Sequence, residues 1–435
     1  MSCLKIRGLL VALAVLAGLL PNYVLAEKVV LDPSGPQPIQ ASYFNMHVRW
    51  GATTLHWPVV RFHSWRVITS ETTWYGLEPE KGVWKFDALD RAVARAQDKH
   101  IEVLYTLGYP ARWAADTGLL RKWNPGYALP PRDMADWEEY VRRVASRYKG
   151  RIKYYELMNE PHFTEIDGGW RSTRDFPVGT MVEMARIASL VVKQIDPEAK
   201  LVSMSPSGLL NGVRRVDAFL KAGGGNYIDV VGFHFYSNAP EQIPELVNAL
   251  RTVMASNGQS HLDVWNTESG FYIDGPDKPH GTGRMSDDEI LYSPELGAAV
   301  VSRALTLGAA TGLRRFYWYS WDIPTLALAY GWGKEINAAG RAFIKTQRWL
   351  RGATIKECRT QNDKLWTCTL TRGTRRARMV WNTAGPLDWT VPAQWQVRQY
   401  ETLMGGAKVV DSLRRLQVDE SPVLIVSDEQ VWGAP

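Results

Sequence analysis

Residues 152–161 read Ile152-Lys153-Tyr154-Tyr155-Glu156-Leu157-Met158-Asn159-Glu160-Pro161. The run 152–157 has the length and apolar content of a buried strand, and it stops at Asn-Glu-Pro. A second stretch repeats the arrangement: 262–265 reads as a strand and stops at Asn266-Thr267-Glu268-Ser269-Gly270. Each leaves one glutamate at the carboxyl end of a strand. Glu160 and Glu268 are 108 residues apart in the chain, so only a fold that gathers strand ends into one ring makes them neighbours. An eight-stranded β/α barrel does this, and its functional groups sit at the carboxyl ends of its strands.

Working outward, eight strand candidates are found, at 42–46, 59–62, 101–106, 152–157, 201–204, 230–235, 262–265 and 315–319. Between most of them lie helix-length segments with apolar spacing near 3.6 residues, at 87–100, 137–148, 181–195, 244–255, 294–309 and 340–350. Strands alternating with helices predict a parallel sheet, and eight of them predict a closed barrel. The connection 48–58 is short and poorly helical. Beyond residue 352 the helical spacing disappears and short strands separated by turns follow. The expected fold class is therefore α/β: a (β/α)8 TIM barrel over 27–351 with a small C-terminal antiparallel β domain, sandwich-like, over 352–435. The stretch Lys28-Val29-Val30-Leu31-Asp32 has no place among the eight strands, so residues 27–35 are expected to pair with the C-terminal sheet.

The chain has 435 residues, 45% hydrophobic and 22% charged, ordinary for a globular protein. Residues 1–26 have the three parts of a secretory signal: basic Lys5 and Arg7, an apolar run over 9–20, and Val24-Leu25-Ala26 as a small-residue cleavage site. The apolar run is shorter than the roughly 20 residues that span a bilayer, which favours cleavage over a retained anchor. Removing Lys5 and Arg7 takes the formal charge of +6 down by two, to +4. That is too weak a bias to argue for nucleic acid or an anionic membrane. Export to the periplasm is expected, with membrane contact only through an uncleaved signal. It leaves Cys358 and Cys368 flanking a polar turn, an even pair expected to form a disulfide in an oxidising compartment. With no second pair, a zinc site is not expected. Nor is there a Walker loop, a dinucleotide-binding glycine pattern after a strand or a His-Glu-x-x-His motif, so no metal and no cofactor are expected.

Paired strand-end carboxyls point to glycosidic chemistry. Cleavage with retained stereochemistry needs two carboxyl groups roughly 5–5.5 Å apart, one to protonate the leaving oxygen and one to attack the anomeric carbon. Asn159, beside Glu160, supplies an amide suited to a sugar 2-OH. The sixth strand candidate ends in Gly232-Phe233-His234-Phe235-Tyr236; Tyr236 is placed to donate to a carboxylate, and His234 reads either as a site residue or as a core histidine. His47 follows the first strand and Trp321 the eighth. Of the 19 tryptophans, Trp321 is the expected sugar platform, with Trp74, Trp113 and the Trp170 region as further candidates. Arg61, inside the second strand candidate, reads either as support for the carboxylates or as a structural residue.

These residues resemble the clan of retaining barrel glycosidases, which carry an acid/base glutamate in Asn-Glu-Pro after strand four and a nucleophile glutamate after strand seven. The resemblance implies Glu160 as acid/base and Glu268 as nucleophile, with Asn159, His234, Tyr236 and Trp321 at sugar and nucleophile contacts. Phe44-Asn45-Met46-His47, the segment Trp74-Tyr75-Gly76-Leu77-Glu78-Pro79 and the β appendage are similar to glycoside hydrolase family 39, over nearly the whole chain. The xylosidases and iduronidases of that family usually carry Asn-Glu-Pro-Asn, from which His162 departs, a difference that bears on their substrates and not on the mechanism. The expectation is an exported endo-glycosidase acting on a bacterial exopolysaccharide of neutral hexoses, partnered by polysaccharide biosynthesis or export machinery. An exo-acting β-xylosidase or β-glucosidase, and a non-catalytic carbohydrate-binding component of an assembly complex, are the rival readings.

Overall fold

The structure is a computed structural model describing residues 28–53, 56–116, 128–167, 175–277, 290–427 and 432–433. The expected signal over 1–26 and Trp170 lie outside the described residues. Eight parallel strands close into a barrel: Phe44–His47, Ser64–Val67, Glu102–Leu107, Tyr154–Leu157, Lys200–Val202, Val230–His234, Asp263–Ser269 and Arg315–Trp318, the last pairing back onto the first. We number these barrel strands one to eight. Strands one, two, six and eight are buried at every position. This is what a parallel sheet covered by helices on its outside and filled by side chains on its inside requires. The helices bury one stripe each; Asp87–Asp98, for example, buries Leu89, Ala92, Val93 and Ala96.

Strand two is Ser64–Val67, not 59–62. Residues 59–62 alternate between exposed and buried as a connecting segment, whereas Ser64-Trp65-Arg66-Val67 is wholly buried. An arginine in the middle of a four-residue run conceals a strand from any reading based on apolar content. Strand one also begins two residues late, because Ala41–Tyr43 forms a 3-10 turn. The helix Leu209–Lys221, between strands five and six, was not among the expected segments.

The remaining chain builds a seven-stranded antiparallel sheet in the order Lys28–Val30, Thr354–Gln361, Leu365–Arg372, Arg375–Asn382, Val423–Val426, Gln399–Thr402, Ala407–Val409. Lys28–Val30 thus ties the start of the described chain to this sheet. One face carries Trp366, Leu370, Met379 and Trp381 into the same core as the barrel helices. The other is covered by the paired strands Leu387–Thr390 and Arg415–Val418 around Val380, Val391 and Ile425. Helix Pro294–Ala310 lies between barrel and sheet and is buried almost all round, with Thr306 Oγ1 3.6 Å from Met379 Sδ. Cys358 and Cys368 face each other across adjacent strands and form a buried disulfide. Among the described residues no helix is long and apolar enough to cross a membrane.

Candidate active site

At the carboxyl ends of the strands, Glu160 and Glu268 converge. A carboxylate oxygen of each, and one nitrogen of His234, all lie within 4.8 Å of one another. Two local irregularities aim the carboxylates. After strand four the backbone turns sharply, with Met158 at φ 29° and Glu160 at φ 47°. Non-glycine residues reach this left-handed region only where their surroundings hold them there. The hold comes from Met158 N–H donating to Leu107 O (3.0 Å) and Glu160 N–H to Ser205 O (3.1 Å). Strand seven shifts register against strand six between the pairs Phe233–Asn266 and His234–Glu268. One extra residue there turns the following side chain, as bulges beside functional sites do.

Beneath the glutamates lies a buried charge network centred on Arg66. Its guanidinium donates to Glu268 Oε2 (2.6 Å), Glu156 Oε2 (2.7 Å) and Asn159 Oδ1 (2.6 Å). Burial works against the Arg66 charge, but Glu156 and Glu268 outweigh it and hold the group cationic. Glu156 also accepts from Thr106 Oγ1 and Ser205 Oγ, both at 2.6 Å. The second oxygen of Glu268 accepts from the Tyr236 hydroxyl at 2.9 Å. Burial and the Glu268 charge push that hydroxyl's pKa up, so it remains a donor. His47 Nε2 lies 3.9 Å from Glu268 Oε2; burial and Arg66 hold its ring neutral.

Glu160 sits in a different environment. Its Oε1 is 2.8 Å from His234 Nδ1, and it is bonded to the Ser207 side chain. Burial pushes its carboxyl up, but His234, Ser207 and Arg66 outweigh this and bring it down to about 2. Ser207 is itself fixed from behind, since Arg215 Nη1 donates to its carbonyl at 2.8 Å while Arg215 Nε bonds Asp167 at 2.8 Å. The three donors Glu160, His234 and Glu268 could meet on one ion, but the Arg66 cation 2.6 Å from Glu268 opposes a second positive charge there.

The two carboxylates open into a cavity of about 560 Å³ walled by Tyr236, Phe271, Tyr272, Tyr292 and Tyr319. A second cavity, about 460 Å³, lies at the amino ends of the strands. Of its carboxylates, Asp32 and Asp263 are engaged by Arg314 and Asp229 by Lys193.

Of the residues singled out from sequence, Glu160, Glu268, Asn159, His47, His234 and Tyr236 meet here. The tryptophans do not. Trp74 is fully buried, stacked 4.7 Å from Tyr140 with its Nε1 donating to Glu78. Trp113 is half-buried, edge-on to Trp74, and donates to the Glu78 carbonyl. Trp321 is 1% exposed, so its ring offers no face to a sugar. Large aromatic rings fill the layers around a barrel, and sequence position alone does not separate wall from platform. Arg61 is exposed on the connecting segment; Arg66 does what was considered for it. Arg66, Glu156, Tyr319 and Ser207 were missed. The available signal was charge: Arg66 and Glu156 each interrupt a four-residue apolar strand, and a buried charge demands a partner.

No family model matches the chain. Among solved structures, a family 39 glycoside hydrolase from the gut symbiont Bacteroides cellulosilyticus WH2 superposes with a TM-score of 0.66 at 18% identity, covering 90% of this chain and 82% of that one. A GH30 endoxylanase from Clostridium papyrosolvens C71 gives 0.60 at 13% identity, covering 92% and 99%. A GH39 β-xylosidase from Caulobacter crescentus gives 0.57 at 14%, covering 94% and 99%. At these identities the likeness establishes the shared fold, a (β/α)8 barrel with its β appendage.

Proposed function

We propose that this protein is a retaining endo-glycoside hydrolase that cleaves a bacterial exopolysaccharide of the biofilm matrix. What carries the reading is the spacing of Glu160 and Glu268, with carboxylate oxygens within 4.8 Å. That is near the spacing of retaining enzymes and short of the roughly 6.5–9.5 Å that inverting enzymes use to admit a water. The fold shared with GH39 and GH30 glycoside hydrolases supports it. Glu268, paired with Arg66 and Tyr236, is the nucleophile. It attacks the anomeric carbon while Glu160 delivers its proton to the leaving oxygen; the glycosidic C–O bond breaks and a glycosyl ester forms on Glu268. Water then enters, Glu160 takes its proton, and the water oxygen displaces Glu268, so two inversions give net retention. Asn159 is clamped through Oδ1 by Arg66 and its side chain also bonds Tyr109, which fixes the amide beside Glu160 for contact with the sugar 2-OH. Glu160 must carry a proton for the first step. A sugar filling the cavity excludes water from this carboxyl, strengthening burial, which is already its largest influence and acts upward.

The substrate reading rests on the sequence resemblance, in which the chain is similar to the endoglycosidase encoded with the machinery for the Psl biofilm exopolysaccharide. It carries with it export to the periplasm and proximity to polysaccharide biosynthesis machinery. A purely binding role does not require two acids at this spacing. The test is mutation with product analysis. Glu268→Ala should lose about ten-thousandfold or more in turnover on every substrate. Glu160→Ala should be impaired least where the leaving group needs no proton, with azide restoring part of the rate. Equal loss on activated and natural substrates would remove Glu160 from its role. Release of monosaccharides alone, with polymer length unchanged early on, would instead establish an exo-acting β-xylosidase or β-glucosidase.

A further inference from the structure

Two tryptophans among the described residues present their rings to solvent, Trp50 at 43% and Trp332 at 53% exposed. They lie on the loops that follow barrel strands one and eight, neighbours in the closed sheet, and both are fastened to the same post. The backbone N–H groups of Arg49 and Trp50 donate to Asp322 Oδ1 (2.9 Å) and Oδ2 (3.0 Å). On the other side, Gly333 packs so closely that a Cβ there would come within 2.9 Å of Trp321 Nε1 and 3.4 Å of Asp322 Cβ. The turn that carries Trp332 is unusual in itself: Gly331, Trp332 and Gly333 have φ of 60°, 58° and 96°. A bulky side chain in the left-handed region is strained, and strain is kept where surrounding structure or function demands it. Here the structure holds an indole in that conformation yet leaves half of it in water, so its burial does not account for it.

The rim is continuous with the candidate active site. Arg49 is bonded to the Tyr319 side chain, Tyr319 walls the cavity between the glutamates, and the Arg49 guanidinium lies 5.5 Å from the Trp50 ring centre. We propose that Trp50 and Trp332 form a carbohydrate-binding platform, a subsite for sugar units of the same polymer beyond those held between Glu160 and Glu268. This rests on the glycosidase reading above and deepens it, because a platform outside the cavity selects for long chains. Its ligand is a neutral pyranose, which lays its C–H face on an indole and offers ring hydroxyls as acceptors to Arg49. The rings take the place that sequence position had suggested for Trp321, which instead packs close to Gly333, the residue after Trp332.

The platform is tested by affinity electrophoresis of the full chain carrying Glu268→Gln, in gels containing mannan, β-glucan or xylan. Retardation is expected in at least one gel, and Trp50→Ala/Trp332→Ala in the same background should weaken that binding by about tenfold or more. Thermal melting should be unchanged, since both rings are exposed. Equal retardation of the two proteins overturns the platform, as does a parent protein that none of the three polymers retards. Shortening, by the wild-type enzyme, of whichever polymer retards the parent protein is scored separately. Its absence would count against Glu160 and Glu268 as catalysts and leave the binding result standing.

Discussion

Arg66 holds three acceptors at 2.6–2.7 Å with no exposure of its own, so its removal reaches both folding and catalysis. Arg66→Met leaves Glu156 buried and uncompensated, and we expect it to destabilise the fold by about 3–5 kcal/mol. Adding Glu156→Gln should restore part of this, because the orphaned charge is then gone. Chemical denaturation of the two variants checks it; strict additivity would show that the pair is not coupled. His234 acts on the other carboxylate. Its hydrogen bond and charge lower the Glu160 pKa, so His234→Gln, which keeps a polar contact without the charge, should raise it. Protonated Glu160 then persists to higher pH, and the basic limb of the kcat/KM profile should move upward. A limb that stays in place, or moves to lower pH, would rule out this coupling.

At the scale of elements, helix Leu209–Lys221 contributes Arg215, which braces Ser207 behind Glu160, so a segment that the apolar pattern did not reveal still positions the site. The C-terminal hairpin is stapled where Cys358 faces Cys368, and the disulfide closes a loop of 10 residues. Closing such a loop constrains the unfolded chain by about 2–3 kcal/mol. The Cys358→Ala/Cys368→Ala protein should therefore unfold at lower denaturant, with any turnover unchanged because the pair lies in the sheet rather than at the strand ends. An unaltered denaturation midpoint would show that the bond contributes nothing to stability.

Over the whole molecule, carboxylates bridge separate elements. Burial pushes Glu102 upward, but His63, Arg315 and Lys153 outweigh it and hold its carboxyl well below the usual range. Glu401 behaves likewise through Lys345, Trp349 and Arg348, and Asp167 through Arg215. A pKa lower in the folded state than in the unfolded one adds stability above the unfolded value, and that stability is lost as pH falls through the folded value. Thermal stability should therefore be level with respect to these groups above about pH 5 and fall steadily below the ordinary glutamate value of 4.5. Stability that rises on acidification across that window would contradict the assignment. The amino-acid sequence by itself determined the barrel, from the alternation of strand and helix periods, and the two glutamates, because strand ends followed by turn residues are local patterns. It also placed Tyr236 and Asn159 beside them. The tertiary structure alone decided the rest. Strand two was hidden because Arg66 is stable there only against Glu156 and Glu268, which are distant in the chain. Wall and platform tryptophans were told apart only by burial, which depends on what packs over each ring and not on the residues beside it.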